Sequence, residues 1–378
     1  MEVQDRSLGP FLCRPSHISM GFWLALGPSG DTKDTYSVRI YQDMNLIGTF
    51  LLNLISKDNP FGVYLGEATG LLPNTLYSYE LFKNNEVYLP LDLKPSDLYF
   101  YTLFEPHDSN ENEFFLVSCH GVESYEKEFG KDNIDTWKMW SLLDSKLKDY
   151  SKCRLGILGG DQVYMDDTFQ EDISKFDVSN PELMNLKIYN TYYSYWSNPS
   201  YRRIMARIPC LLMWDDHDLI DGWGSREEAH NKKLKPKWNE YGKFLSKAFR
   251  DMQSCRNNSS SNEKFFSFAK TLGKSAFLSL DLRSERNFDP KTGKAEMISS
   301  QHKKFLEDEI KKAVSKGIKR LFIISPVTVA RMSGPTEHIL ASISNVLWKI
   351  MSFMGYVAYN KRSLAWFVSF IISYIVLY

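Results

Sequence analysis

The sequence predicts a mixed α/β fold that follows an all-β region. Residues 10–104 contain short runs rich in Tyr, Val, Ile and Phe, which turn signals such as GPSGD at 27–31 and KDNPFG at 57–62 separate. After residue 113, five uninterrupted apolar runs each end abruptly in polar residues, and helical patterns lie between several of them. Closely spaced strands and turns are typical of a small antiparallel sandwich, whereas strands that alternate with helices are typical of an α/β sheet flanked by helices.

The composition fits a folded protein with two domains, or one large domain with an attachment. The chain has 378 residues, of which 43% are hydrophobic and 24% are charged. Lys+Arg and Asp+Glu each total 46, so no global field draws the chain to nucleic acid, and we expect no specific nucleic-acid partner. The five cysteines are widely spaced and odd in number, which favours a reducing compartment over a disulfide framework. The N-terminus shows no secretory pattern, so we expect a cytoplasmic location.

We divide the chain into four segments. They are an N-terminal β-sandwich at 1–104, a polar linker at 105–113, an α/β domain at 114–338 and an apolar C-terminal segment at 339–378. Residues 363–378 form an uncharged stretch of 16 residues, whereas roughly 20 are needed to span a bilayer. Three interpretations of this end stay open: a membrane tail or helical hairpin that attaches the protein to a membrane, a core helix and strand, and an altered end to a truncated chain.

The five apolar runs of the second half predict buried strands at 114–118, 155–159, 209–214, 275–280 and 321–324. A helix is predicted at 301–314, where apolar residues recur on one face. Ligands of open α/β sheets bind beyond the carboxyl ends of the strands. The polar residues that end these runs therefore mark the expected position of a functional site.

The second run ends in Gly160-Asp161-Gln162-Val163-Tyr164. Glycine lets the chain turn sharply off a strand, after which Asp161 and Tyr164 can project from its end. A carboxylate can bridge two cations, and a phenolate is a hard ligand that suits ferric iron. The alternative is a plain turn with a buried tyrosine.

The third run ends in Trp214-Asp215-Asp216-His217-Asp218. Three carboxylates within four residues repel one another unless cations compensate their charge, which favours a metal site. The alternative is a helix N-terminus, where aspartates cap the backbone.

The first run ends in Ser118-Cys119-His120-Gly121, where a thiolate or an imidazole could bind metal. The alternative is a small buried cysteine with a structural role.

Together, SCHG at 118–121, GGDQVYMD at 159–166 and WDDHD at 214–218 resemble the PhoD-type alkaline phosphatases of the calcineurin-like metallophosphoesterase superfamily. The N-terminal region, including ATGLLPNTLYSYELF at 68–82, resembles the fibronectin-like domain that leads this family. The resemblance covers residues 9–330 and implies a metallophosphoesterase-type sandwich of β-sheets flanked by helices. It also implies metal-dependent hydrolysis of phosphate mono- or diesters by a metal-activated water at a binuclear centre.

The resemblance implies a role for each matching residue. Cys119, Asp161 and Tyr164 match the ligands of a ferric ion, with Asp161 as the bridge to a second cation. Asp216 matches the ligand of that second cation, Ca²⁺ in this family, although Zn²⁺ or Mn²⁺ could replace these ions. His217 matches the histidine that contacts phosphate and protonates the leaving group. The implied substrate is a small-molecule or lipid phosphate ester.

Other side chains near these motifs are candidates for binding the substrate. They are His120, Asp215 and Arg283, the last of which could hold a phosphate by bidentate contact. A surface ion pair for Arg283 and a structural role for His120 are the alternatives. We expect His302, in a polar context, to be a surface residue.

The sequence departs from the family pattern after residue 325. The family has a later Gly-Asp-x-His-like element that completes the second metal site, and nothing after Ser325 supplies it with the right spacing. This departure predicts that the second cation lacks a ligand, as in a C-terminally truncated product. The alternative function is therefore a catalytically impaired relative that acts as a binding or membrane-tethered module.

Overall fold

The computed structural model describes residues 6–27, 33–58, 61–90, 92–106, 113–119, 138–147, 151–169, 177–226, 229, 231–257, 264–289 and 294–327. The apolar segment 339–378, for which a membrane tail is one interpretation, lies outside these residues. Among the described helices, none has the length and apolar character that crossing a membrane requires.

The first hundred residues form an eight-stranded antiparallel sheet in the order β1-β2-β5-β4-β3-β6-β7, with β8 paired to β6. Its strands are β1 (Leu8–Cys13), β2 (Ser19–Leu26), β3 (Tyr36–Gln42), β4 (Asn45–Asp58), β5 (Phe61–Thr69), β6 (Leu76–Lys83), β7 (Glu86–Val87) and β8 (Tyr99–Tyr101). The sheet curls so that its two ends share a core. Phe22 of β2 contacts Tyr79 of β6 and Phe100 of β8, with ring centroids 5.1 and 5.8 Å apart.

The remainder alternates strands and helices. The strands are β9 (Glu113–Val117), β10 (Cys153–Gly159), β11 (Cys210–Met213), β12 (Phe268–Leu272), β13 (Ser275–Ser279), β14 (Asn287–Asp289), β15 (Lys294–Glu296) and β16 (Arg320–Ile324). The helices are α1 (Lys138–Lys146), α2 (Met165–Phe169), α3 (Pro181–Trp196), α4 (Pro199–Arg207), α5 (Lys235–Met252) and α6 (Ser300–Ser315). The structure therefore confirms the predicted α/β fold with an N-terminal all-β region.

The strands of the second half belong mainly to two three-stranded sheets. Strands β11, β10 and β9 are parallel, with β10 in the centre, and β13 pairs antiparallel with β12 and parallel with β16. All five predicted apolar runs overlap strands. Full burial was wrong for two of them, because Leu116 of β9 is 61% exposed and Ile323 of β16 is 54% exposed. Within the described residues these two strands lie at sheet edges, which leaves one face of each partly uncovered.

The N-terminal sheet packs directly on the helices of the second half. The Trp23 indole N–H donates to the Asp251 carbonyl at 3.0 Å, and the Tyr79 hydroxyl donates to the Ala206 carbonyl at 2.8 Å. The buried Arg256 guanidinium lies 5.1 Å from the Phe11 ring centroid and 5.4 Å from that of Trp23. Contacts of aromatic side chains contribute much of the stability of an interface. The packing of the sheet therefore stabilises the position of the helices that adjoin the site.

Candidate metal centre

The candidate ligands follow three parallel strands that end at the same edge of their sheet. Leu158 of β10 pairs with Val117 of β9, and Gly159 pairs with Met213 of β11, so the three strands end at nearly the same level. The loops that follow carry Cys119, Asp161 and the 215–218 segment. A hydrogen bond of 3.2 Å from the Cys119 N–H to the Gly160 carbonyl joins the first two loops. The expected position of the site beyond the strand ends is thus the observed one.

The turn at Gly160 depends on the absence of a side chain. Gly160 has φ of +109°, and a Cβ at this position would lie 2.8 Å from Cβ of Asp215. The next residue, Asp161, has φ of +53°, and Cys119 has φ of +58°. Non-glycine residues rarely adopt this left-handed conformation, and it clusters at functional sites. These strained turns direct the side chains of Asp161 and Cys119 toward the same part of the site.

Asp161 lies in the centre of the site and is fully buried. Its Oδ2 atom is 3.3 Å from the Cys119 sulfur, and its Oδ1 atom accepts the backbone N–H of His217 at 3.2 Å. Donor atoms of Asp161, Asp216 and His217 all lie within 4.8 Å of one another. A cation can bind where several such donors converge.

Tyr164 flanks this group through its ring. The ring stacks on the His217 imidazole, with centroids 4.3 Å apart and an interplanar angle of 21°, and on its other side it stacks on Tyr195 at 6.1 Å. The sequence-predicted residues Cys119, Asp161, Tyr164, Asp216 and His217 therefore lie close together in the structure. His120, the remaining candidate of the first motif, lies outside the described residues.

The electrostatics of the site call for a cation. Burial and then the charge of Asp215 raise the pKa of Asp161 well above its usual range. Burial and the neighbouring Asp161 likewise raise the pKa values of the Cys119 thiol and the Tyr164 phenol. A bound metal ion reverses this effect, since it stabilises the ionised carboxylate, thiolate and phenolate. This donor set fits a hard or borderline trivalent or divalent cation.

Asp166 is a site residue that sequence reasoning missed. Its carboxylate is hydrogen-bonded to Nδ1 of His217, and its other oxygen accepts the Asp221 N–H at 3.1 Å. Burial alone would lower the pKa of His217, but the Asp166 hydrogen bond and the surrounding carboxylates outweigh burial and raise it to about 10. These contacts therefore favour the protonated imidazole in the metal-free site. Asp166 lies two residues after the tyrosine of the GDxxY motif, but no local pattern marks it as the partner of a distant imidazole.

Arg283 neutralises the two aspartates before His217. Its Nε atom is hydrogen-bonded to Asp215 Oδ1, and its Nη2 atom lies 3.3 Å from Asp216 Oδ1. Burial raises the pKa of Asp215 to about 6, and the adjacent Arg283 charge opposes this increase. Asp215 and Arg283 therefore form an ion pair. This ion pair is buried, in contrast to the surface ion pair that was the alternative for Arg283.

Asp218 organises the backbone below the site. It is buried and accepts the N–H groups of Asp215 at 3.0 Å and Gln162 at 3.2 Å, together with the Gln253 side chain at 2.9 Å. Burial raises its pKa to about 7. These contacts point to a structural role that links the second and third motifs.

The loop that carries Arg283 is anchored by Asp281. This buried carboxylate accepts the Trp214 indole N–H at 2.8 Å and the backbone N–H groups of Phe266 and Arg283 at 2.7 and 2.9 Å. The anchor therefore ties the loop after β13 to the residue that precedes the aspartates of the third motif.

The prediction that His302 is a surface residue was wrong. His302 is fully buried, stacks on Phe265 at 4.0 Å and bonds Ser267 and Glu285 at 2.6 and 3.1 Å. Its position near the start of α6 faces the 265–285 region, where polar partners satisfy both ring nitrogens.

Comparisons with known proteins identify the family of the chain and support its fold. A family profile described as PhoD-like phosphatase matches residues 116–319. The solved structure titled "Structure of PhoD" aligns over 83% of this chain and 60% of its own, with 15% identity and a TM-score of 0.56, which supports the fold. The uncharacterized protein YGR266W of Saccharomyces cerevisiae is 25% identical over an alignment of 162 residues, with a coverage of 35% of this chain.

The chain spans 22% of the length of the yeast relative and 60% of the PhoD chain. The family profile covers more than half of this chain, from β9 to the end of α6 and the turn after it, and includes the first three motifs of the site. The chain therefore belongs to the PhoD-like phosphatase family.

Proposed function

We propose that the protein hydrolyses phosphate mono- or diesters at a binuclear metal centre held by Cys119, Asp161, Tyr164 and Asp216, with His217 beside it as the catalytic proton donor. The observation that carries the proposal is the convergence of Asp161, Asp216 and His217 donor atoms within 4.8 Å, with the Cys119 sulfur 3.3 Å from Asp161. When bound, the cations would supply Lewis-acid activation of water and offset the negative charge that develops on the phosphoryl oxygens.

Each residue would have a role that follows from the chemistry of its side chain. Cys119, Asp161 and Tyr164 would hold Fe³⁺, since thiolate, carboxylate and phenolate are all anionic donors. Asp216 would contribute to the second cation, for which Ca²⁺ suits a carboxylate site and Zn²⁺ or Mn²⁺ are alternatives. His217, positively charged through Asp166, would donate a proton to the leaving oxygen from its Nε2 atom.

A second candidate function is a catalytically impaired relative with a single cation. The observation that favours it is the engagement of both Asp216 oxygens: Oδ2 accepts the Gly222 N–H at 2.9 Å, and Oδ1 lies 3.3 Å from Arg283. The later Gly-Asp-x-His-like element, which was not found in the sequence, would fall in residues outside the described ranges. Such a protein would bind phosphate esters without turnover.

The substrate and the location follow as further parts of the proposal. We propose a small-molecule or lipid phosphate ester as substrate, because neither the charge balance nor the site indicates nucleic acid. We propose a cytoplasmic location, because all five cysteines are unpaired in the structure. Membrane association through 339–378 stays a proposal that the described residues do not address.

The test combines metal analysis with turnover. Purified protein should contain about two metal ions per chain and hydrolyse p-nitrophenyl phosphate or bis-p-nitrophenyl phosphate. Asp161→Asn should lose metal and turnover together, whereas His217→Ala should retain metal and lose turnover. Asp308 on α6, whose side chain is 47% exposed, supplies a matched control. Asp308→Asn should change neither the metal content nor the turnover. One metal or none without turnover would support the impaired relative, and full activity of Asp161→Asn would refute the site.

A further inference from the structure

Arg286 is a charged side chain near the site that has no partner within the part of the chain that the structure describes. It is half-buried, and among the described residues neither a hydrogen bond nor an ion pair engages its guanidinium. It lies within electrostatic range of Asp215 and Asp216, which attract it, and of Arg283, which repels it. Burial and the Arg283 charge lower its pKa. Removing a cation from water without providing a partner costs free energy. An anionic ligand beside Arg286 would offset this cost.

The backbone of Arg286 is held in place from two sides. The preceding Glu285 accepts the Ser299 N–H at 3.0 Å and is bonded to His302 Nδ1 at 3.1 Å. On the opposite side the Arg286 carbonyl would lie 2.5 Å from a Cβ placed on Gly224. Gly224 follows closely after Gly222, whose N–H donates to Asp216. Arg286 is therefore anchored beside the segment that orients a candidate metal ligand.

Arg283, three residues earlier, also retains an unused donor. Its Nε and Nη2 atoms bind Asp215 and Asp216, but its buried Nη1 atom has no hydrogen-bond partner among the residues that the structure describes. Buried donors are satisfied in native proteins, so an unsatisfied one next to a functional site calls for a ligand. The loop 281–286 thus carries two guanidinium groups that interact through charge and retain donors without a partner among the described residues.

The two arginines differ in their distance from the carboxylates. Arg283 contacts Asp216 directly, and it is therefore the arginine placed to reach a phosphate at the metal centre. Arg286 interacts with the same aspartates through charge and makes no ion pair with them or with any other residue that the structure describes. An anion that binds Arg286 would therefore be a neighbour of the scissile phosphate and not that phosphate itself.

We propose that Arg286 determines substrate specificity by binding a second phosphate group of the substrate, next to the phosphate at the metal centre. The inference rests on the proposed function and names its substrate class as phosphate esters that carry a further phosphate, as in a diphosphate. Guanidinium groups suit this task because their planar donors match phosphate oxygens and remain charged at every physiological pH.

The test compares inorganic phosphate with inorganic pyrophosphate as probes of the metal-loaded protein. Dissociation constants come from calorimetry, and inhibition constants come from p-nitrophenyl phosphate turnover. We expect wild-type protein to bind pyrophosphate more tightly than phosphate. Arg286→Gln should weaken pyrophosphate binding about tenfold and change phosphate binding by less than about twofold, since a charge-assisted hydrogen bond has this magnitude. Arg286→Lys should restore part of the loss.

Controls separate this inference from the proposed function. Lys304→Gln removes an exposed positive charge on α6 and should change neither constant. Metal analysis after each titration shows whether pyrophosphate removes the same amount of metal from both proteins, so that the ratio of their pyrophosphate dissociation constants reports on the Arg286 side chain. Equal pyrophosphate binding by wild-type and Arg286→Gln proteins would overturn the inference, as would an equal loss for both probes. Arg286-dependent pyrophosphate binding without any turnover would support it while refuting the enzymatic proposal.

Discussion

Nδ1 of His217 is hydrogen-bonded to the carboxylate of Asp166, which lies 51 residues earlier in the chain. Because Asp166 also accepts the Asp221 N–H at 3.1 Å, its orientation is set from two directions. The contact leaves Nε2 as the ring nitrogen that can face a ligand or substrate. Such partners of a functional histidine fix its tautomer and ring orientation.

Asp166→Asn should lower the pKa of His217 and slow turnover by about 10- to 100-fold, as is common for partners of functional histidines. The wild-type pKa of about 10 depends on the Asp166 hydrogen bond and charge. The alkaline limb of the kcat profile should therefore move to lower pH in the variant. Steady-state kinetics between pH 6 and 10 measure this shift, with Asp308→Asn as a control. An unchanged profile would show that Asp166 does not tune His217.

The stability of the metal-free protein should fall as the pH rises from about 6.5 to 10. The folded pKa of His217 is about 10, above the unfolded reference of 6.5, so the folded state binds the additional proton across this interval. The stabilisation is complete below pH 6.5 and is lost as the pH passes the folded value. Urea unfolding at several pH values should show a smaller fall for Asp166→Asn. The same slope in both proteins would contradict this assignment.

Gly160→Ala should reduce stability and metal binding together. Its φ of +109° is unfavourable for alanine, and the new Cβ would lie 2.8 Å from Asp215 Cβ. Gly317, with φ of +67° and no atom within 4 Å of the position that an added methyl would take, provides a matched control. We expect Gly317→Ala to cost about 1 kcal/mol, whereas Gly160→Ala should cost more and displace Asp215. Thermal unfolding and metal analysis of both variants test the difference, and equal losses would contradict it.

Tyr164→Phe should remove a metal ligand without disturbing the ring stack. The phenyl ring can keep its place between His217, at 4.3 Å, and Tyr195, at 6.1 Å. If Tyr164 binds ferric iron as a phenolate, the variant loses the visible absorption that phenolate–iron bonding produces, and it retains less iron. Absorption spectra and metal analysis check this, with near-ultraviolet circular dichroism to confirm the packing. An unchanged spectrum of an iron-loaded variant would exclude Tyr164 as a ligand.

The sequence could indicate the residues at the strand ends because their signal is local. Cys119, Asp161 and Asp216 each follow an apolar run closely, and parallel strands bring their carboxyl ends to one edge. Asp166 has no such signal, since it lies in the short helix α2 and gains its role only through contact with a distant imidazole.

His302 and Leu116 show a different reason for error. A histidine among lysines reads as a surface residue, yet its two ring nitrogens bond Ser267 and Glu285, which no periodicity reveals. Leu116 belongs to an apolar run that predicts burial on both faces, but its strand lies at an edge of the described sheet and is 61% exposed at this position. Burial depends on neighbours that are distant along the chain, and a single sequence does not identify them.

The parallel register of β9, β10 and β11 has a consequence for biosynthesis. A ribosome releases residues 119, 161 and 217 far apart in time, and each pairing must close a long loop before any cation meets all of its donors. If the proposed centre binds metal, complete binding requires all three strands to be paired, so weakened strand pairing should lower the metal content of the protein.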